Sequence, residues 1–311
     1  MYRRNLLLSA VAALLVSTIA PVGPALAQSG DRTGLYTYPG PGTVNTHWIE
    51  TPGGGLVVID VQRDLAHARE ALAAARATGK PVRAILVTHG HPDHYVGLGV
   101  FKEAFPNAVI WSSETTSETI RTDPYGFNKL VQEFDPANAP TVFTLPDRTF
   151  GGDTTLEIDG LQIVAREMGK AEANSGTAYY VPSTGDLYVG DLVLNRLHAL
   201  FGESSTSEWL TALDRLDILF PNARVVHPGH GASGPKERLL ADQRDYIVTT
   251  RRLALAEYVR AGDTPAAKAA ANRAIIARFP YENPAGLRDI VAISVDGLFA
   301  EFAKPALAPV K

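Results

Sequence analysis

The sequence predicts an α+β fold in which two β-sheets are each covered by helices, with a helical tail behind them. Three observations carry this. β-rich stretches give way to helical periodicity twice, over residues 44–122 and again over 154–219. Several predicted strands end on glycine or on residue types that bind metals, as strands sharing one sheet edge would. From Pro235 onward the chain reads as helix in three pieces, broken at Gly262-Asp263 and Asn283-Pro284.

Val44 to Glu50 and Leu56 to Val61 are strands joined by Thr51-Pro52-Gly53-Gly54-Gly55, a hairpin signal. Asp64 to Thr78 repeats apolar residues at helical spacing (Leu65, Ala68, Leu72, Ala75) and stops at Gly79 and Pro81. Ala84 to Thr88 is a strand and residues 89–94 a polar loop. Gly97 to Phe105 is a helix, Val109 to Ser112 a strand, and Glu114 to Thr122 a helix. Residues 123–150, rich in Pro, Asp and Asn, are expected to be a surface excursion. Thr154 to Ile158 and Leu161 to Met168 form a second hairpin around Asp159-Gly160. Thr177 to Val181 and Leu187 to Val189 are strands, the latter running into Gly190-Asp191. Glu208 to Leu219 is a helix, and Arg224 to His227 a last strand before Pro228-Gly229-His230-Gly231.

The first residues stand apart. A basic head (Met1-Tyr2-Arg3-Arg4), an apolar run from Leu6 to Ala20 and the small-residue site Ala25-Leu26-Ala27 form a secretory leader, so residues 1–27 are expected to be removed. Arg3-Arg4 reads equally as a twin-arginine export signal or as an ordinary positive head. The expected location is periplasmic or secreted. The domains expected are 28–234, carrying both sheets, and 235–311, the helical extension. The full chain has a net charge of −4, and removing a leader with two arginines and no acid makes it more acidic. Such a balance argues against nucleic acid or an anionic membrane as partner and leaves a small-molecule substrate. Cysteine is absent, which excludes thiolate nucleophiles, thiolate ligands and iron–sulfur clusters.

The chemistry gathers at Thr88-His89-Gly90-His91-Pro92-Asp93-His94, directly after the apolar run Ala84-Ile85-Leu86-Val87. Four metal-type side chains within six residues would repel and desolvate one another without a cation to organise them. Neutral imidazole and carboxylate suit zinc. Asp191 and His230 also follow strands directly and sit beside glycine. If those strands lie together, one sheet edge collects His89, His91, Asp93, His94, Asp191 and His230.

These motifs, in this order, resemble the metallo-β-lactamase superfamily, and the resemblance runs from about residue 43 to residue 235. It implies a four-layer αβ/βα sandwich with one or two Zn2+ at an edge between the sheets. By position it implies that His89 and His91 bind a first metal, that Asp93, His94 and His230 bind a second, and that Asp191 bridges them. Asp93 and Asp191 would then orient the attacking water. Asp60 would hold the ligand loop from behind, or else simply cap its strand. The family's usual third histidine for the first metal is missing from Gly169-Lys170-Ala171-Glu172-Ala173-Asn174-Ser175-Gly176. Glu172 either replaces it or is a solvated loop residue. The first metal site is therefore expected to be the weaker one. His198, seven residues beyond Asp191, is a further candidate for metal or substrate, against a structural role. His47 and His227 read as structural and His67 as exposed.

The activity expected is hydrolysis of an acyl bond, in a β-lactam, lactone or other ester-type substrate, by metal-bound hydroxide. No Gly-x-Ser-x-Gly elbow offers a rival nucleophile. Two alternatives stand beside it: a mononuclear iron dioxygenase-type enzyme, and a metal-binding protein without turnover. Tyr95, Trp48, Phe127 and Phe201 are candidates for an apolar mouth, against the more usual role of core packing. The C-terminal helices would cover the sandwich, cap the site or form a homodimer.

Overall fold

The computed structural model describes residues 33–39, 43–283 and 289–304; the expected leader lies outside them. Two six-stranded sheets face each other. The first runs, in spatial and chain order alike, through β1 (Thr33–Thr37), β2 (Asn45–Glu50), β3 (Leu56–Ile59), β4 (Val82–Leu86), β5 (Val109–Ser113) and β6 (Arg148–Phe150). The second contains β7 (Thr154–Ile158), β8 (Leu161–Gly169), β9 (Gly176–Val181), β10 (Asp186–Gly190), β11 (Val225–Pro228) and β12 (Gly234–Pro235). Helices α1 (Leu65–Arg76), α2 (Pro92–Tyr95), α3 (Leu98–Ala104), α4 (Glu114–Thr122) and α5 (Phe127–Phe134) lie among the strands of the first half. Helix α6 (Thr206–Leu219) separates β10 from β11. Helices α7 (Lys236–Ala261), α8 (Pro265–Arg278) and α9 (Ile290–Ala303) follow the last strand.

The layering comes from period-2 alternation within strands buried on both faces. In β3, Leu56 and Val58 point to one cluster while Val57 and Ile59 point to another. In β4, Ile85 belongs to the first of these and Ala84 and Leu86 to the second. The second cluster also holds Ile163, Ala165, Tyr179, Val181 and Tyr188 from the opposite sheet, so it is the interior between the sheets. On the outer face of the first sheet, Ala71, Leu72, Ala75, Leu98, Phe101 and Ile120 supply the helical cover. Outside the second sheet, Leu187 and Val189 meet Trp209, Leu213 and Leu216 of α6, and this core continues into α7, α8 and α9 through Ile247, Ile275 and Phe299. The result is the four-layer sandwich that the sequence predicts, with the helical extension fused to its outer layer.

Most element bounds agree with the sequence reading within two residues; α1 is capped by Asp64, whose side chain accepts the His67 N–H. Residues 123–150 depart from expectation. They contain α5 and β6, and β6 pairs parallel to β5 at the sheet edge. α5 carries an apolar stripe at helical spacing (Phe127, Leu130, Val131, Phe134), yet none of its residues is buried. The short edge strands β1 and β12 also escaped the reading. Among the described residues no helix is long and apolar enough to cross a membrane.

Candidate metal centre

The ligand loop leaves the buried end of β4 and is fastened to both sheets. Val87 N–H donates to Trp111 O at 2.9 Å, and across the interior Thr177 N–H donates to Thr88 O at 2.8 Å. Pro92 then starts the one-turn helix α2, which carries Asp93 and His94. The bridging candidate Asp191 follows the last residue of β10, and His230 the turn after β11. A Cβ on Gly229 would stand 2.2 Å from Asp191 Oδ1 and 2.6 Å from His94 Cε1, so only glycine lets this turn approach the ligands. Asn45 pins the turn from β2: its amide donates to Pro228 O (2.9 Å) and Gly231 O (2.8 Å).

Donor atoms converge in three overlapping groups: His89, His91 and Glu172; His89, His94 and Asp191; and Asp93, His94 and His230. Within each group they lie within 4.8 Å of one another. Asp191 thus stands with one histidine from each expected half-site. Its Oδ1 is 3.5 Å from His94 Nε2, and its Oδ2 is 3.2 Å from His230 Nε2, which lies as close to Asp93 Oδ2. Glu172 is 5 % exposed, and its Oε2 stands 2.9 Å from His91 Nδ1. It is buried beside His91 and is not a solvated loop residue.

Asp60 ends β3 in a left-handed conformation (φ 55°), one that aspartate tolerates better than most residues. One of its oxygens accepts Thr88 N–H (2.9 Å); the other accepts Thr88 Oγ1 (2.8 Å) and faces His94 Nδ1 (2.9 Å). Because Thr88 Oγ1 gives its proton to Asp60, it accepts from His89 Nδ1 at 3.0 Å. Both imidazoles therefore spend Nδ1–H on this relay and aim an Nε2 lone pair into the centre. His89 Nε2, His94 Nε2 and Asp191 Oδ1 are buried and make no hydrogen bond among the described residues. Buried acceptor atoms left without donors, converging with carboxylates, are the arrangement a cation satisfies. The donor set, imidazole and carboxylate without thiolate, fits zinc.

Without a cation these groups hold one another charged, with protons where a metal would bind. Burial pushes Asp93 and Asp191 up, but the neighbouring His94 and His230 outweigh it and hold both below the ordinary carboxylate range. Burial opposes protonation of His230, yet Asp191 and Asp93 raise it to about 10. His94 is likewise held high against burial by Asp191, Asp93 and Asp60. His89, buried and facing the His94 and His91 rings, is driven well below the usual imidazole value. Burial lifts the Glu172 carboxyl to about 7 despite the pull of His91.

One residue at the centre escaped the sequence reading. Glu203, in the segment between β10 and α6, places Oε1 2.9 Å from His91 Nε2. In sequence it is only an acid shortly before a helix start, and no local pattern distinguishes it.

One expectation, that for His67, needs correction, whereas His198 and three of the aromatic candidates take the structural of their two readings. His198 is remote from the donor groups: its Nδ1 contacts Tyr246 Oη at 2.9 Å, in the core under α7, and burial lowers it to about 4. The chain reaches that place because Arg196 turns it with a φ of 63°. His67 is half-buried and not exposed, held between Asp64 and the Tyr38 ring. Tyr95, Trp48 and Phe201 are core residues. Of the proposed apolar mouth only Phe127 stands at the centre, its ring edge-on to His91 at 5.3 Å with the half-exposed Tyr125 beside it. His47 and His227 are structural: His47 Nε2 contacts Pro228 O at 3.1 Å, and His227 pairs with Asp186 at 2.9 Å.

Comparison with known proteins agrees with this geometry. The model of the metallo-β-lactamase superfamily matches residues 39–230. A linear primary-alkylsulfatase from a Pseudomonas species is 25% identical over 235 residues, covering 64% of this chain and 44% of the relative. The chain spans less than half the length of the curated relatives it matches. A metallo-β-lactamase structure from Pontibacter korlensis superposes with a TM-score of 0.56 at 24% identity, over 72% of this chain and 98% of that one. A double mutant of the sec-alkyl sulfatase PisA1 gives 0.64 at 18% identity, over 86% of this chain and 49% of that one. With the 89–94 loop, Asp191 and His230 inside the matched segment, the chain belongs to the metallo-β-lactamase superfamily.

Proposed function

We propose that the protein is a zinc-dependent hydrolase that cleaves an ester-type bond of a small molecule outside the cytoplasm. The observation that carries this is the convergence of His89, His91, Glu172, Asp93, His94, Asp191 and His230, with His89 Nε2, His94 Nε2 and Asp191 Oδ1 buried and without a hydrogen bond among the described residues. Zinc held there supplies a water acidified toward neutral pH and a Lewis acid for the oxygen that gains charge. The chain's own residues do the rest. Asp93, the most accessible of the donor carboxylates at 24 % side-chain exposure, and Asp191 are placed to accept a proton from the attacking water and fix its direction. Asp60 and Thr88 keep His89 and His94 in the tautomer that binds metal. Phe127 and Tyr125 form an aromatic ledge beside His91 for an apolar part of the substrate. The leader-like residues 1–27 support export to the periplasm or beyond.

Within the ester class, a sulfate ester on an alkyl chain is favoured over a lactam. The alkylsulfatase match runs over 235 residues, against 96 for the type 2 metallo-β-lactamase of Bacteroides fragilis, and the aromatic ledge suits an alkyl chain. The test is a panel of alkyl sulfates, lactones, β-lactams and thioesters, given to zinc-loaded and chelator-treated protein. Metal-dependent turnover with alkyl sulfates ahead is expected. No turnover of any substrate above the chelated control would overturn the reading.

A further inference from the structure

The segment from Ala199 to Ser205 belongs to no helix or strand, yet it carries Glu203 to the heart of the centre. The Glu203 side chain is only 8 % exposed. One oxygen faces His91 Nε2 at 2.9 Å, and the other accepts Asn174 N–H at 2.9 Å, in the loop that bears Glu172. Next to it the Ser204 hydroxyl donates to Ala171 O in that same loop. Glu203 thus grips the imidazole and the backbone beside its carboxylate neighbour together.

What holds this segment is the helical extension. His198 N–H donates to Glu282 O at 2.8 Å. Ser294 of α9 donates its hydroxyl to Ala199 O (2.7 Å) and accepts Phe201 N–H (3.2 Å). Thr206 donates from N and Oγ1 to the Glu301 carboxylate at 2.9 and 2.8 Å. The contact is close enough to need glycine, since a Cβ on Gly297 would stand 2.0 Å from Phe201 O.

We propose that Glu203 is a positioning residue for the His89–His91–Glu172 half-site, and that α9, by fixing the 199–206 segment, makes the C-terminal extension a structural part of the metal centre. This rests on the zinc reading above. A carboxylate accepts and cannot donate, so Glu203 holds a proton on His91 Nε2, and a cation bound beside Glu172 would then find its lone pair on Nδ1. The anchored second oxygen prevents the carboxylate from swinging away. Without it the His91 ring is free to turn, and Asn174 N–H loses its acceptor.

The experiment is titration of metal-free full-length protein with Co2+, read by visible absorption, with the step belonging to the first half-site identified as the one Glu172→Ala removes. Glu203→Ala is expected to weaken that step about 10- to 100-fold and alter its spectrum, leaving the other step in place. Glu203→Gln, which keeps an acceptor oxygen toward Nε2, recovers most of the loss. Ser294→Val and Gly297→Ala shift the same step in the same direction by less, and they keep the test decisive if Glu203→Ala does not fold. In the zinc-loaded protein the slowly exchanging His91 Nε2–H proton resonance is present in the wild type and absent in Glu203→Ala. An unchanged step and spectrum in Glu203→Ala would overturn the role of Glu203; an unchanged step in both α9 variants would overturn that of the extension. Wild-type protein showing no Co2+ step at all would overturn the zinc reading itself, which separates the two failures.

Discussion

The two halves of the metal centre are built by different means. The half formed by Asp93, His94 and His230 rests on strand ends: β4 leads into α2, β11 leads into the Gly229 turn, and Asp60 at the end of β3 braces His94 from behind. The half formed by His91 and Glu172 rests on loops, with Glu203 as clamp and α9 as support. Strand ends inherit the rigidity of a sheet buried on both faces. Loops have to acquire theirs from long-range contacts, and here the C-terminal helices provide them. The first half-site should therefore be the more easily disturbed.

The largest effect is expected where the halves meet. Asp191→Ala removes the shared carboxylate, so both metal equivalents weaken and kcat/KM falls roughly 10³-fold, about 4 kcal/mol; metal counting with steady-state kinetics checks this. Glu172→Ala should release only one metal equivalent, whereas Glu172→His, restoring an imidazole there, should tighten that equivalent. Equal loss of both metals in Glu172→Ala would erase the distinction between the halves. Asp60→Ala should act on both halves, directly through His94 and through Thr88 on His89, weakening metal binding by about 10- to 100-fold and costing about 2–3 kcal/mol of stability because Thr88 N–H is left without an acceptor. Calorimetric melting of the metal-free protein measures the second part.

The support region has its own pH signature. Burial holds folded His198 near 4, below its unfolded value of 6.5, so the unfolded chain takes up a proton that the folded one refuses. Stability from this group is complete above pH 6.5 and is lost as pH falls toward 4, by about 2 kcal/mol at pH 5. His198→Asn should flatten that acid limb in a series of thermal melts; an unaltered slope would contradict the assignment. The smallest effect is expected at the ledge. Phe127→Ala should raise KM for a long-chain substrate several-fold, roughly 1 kcal/mol, with metal content unchanged.

The same contrast explains what could be read from the sequence. The strand-end half was legible because its donors are contiguous, or follow apolar runs directly and sit beside glycine, as at Gly190-Asp191 and Gly229-His230. Glu172 was legible only as a departure from a family pattern. Glu203 was not legible, because it meets His91 across 112 residues of sequence through a loop that helices elsewhere hold in place. His198 was open to two readings because it is near Asp191 in sequence, and it takes the structural one, since the turn at Arg196 sends it into the core of the extension. Among the elements, α5 was missed although Phe127, Leu130, Val131 and Phe134 recur at helical spacing, because it sits in a stretch rich in Pro, Asp and Asn, and β6 and β12 were missed because strands of two or three residues are too short for alternation to show.

Anomalous diffraction at the zinc absorption edge, from crystals of protein purified without chelator, tests the central claim most directly. Two peaks are predicted, one among His89, His91 and Glu172 and the other among Asp93, His94 and His230, with Asp191 contacting both. A map without a peak at these residues, from protein shown to be active, would contradict the account.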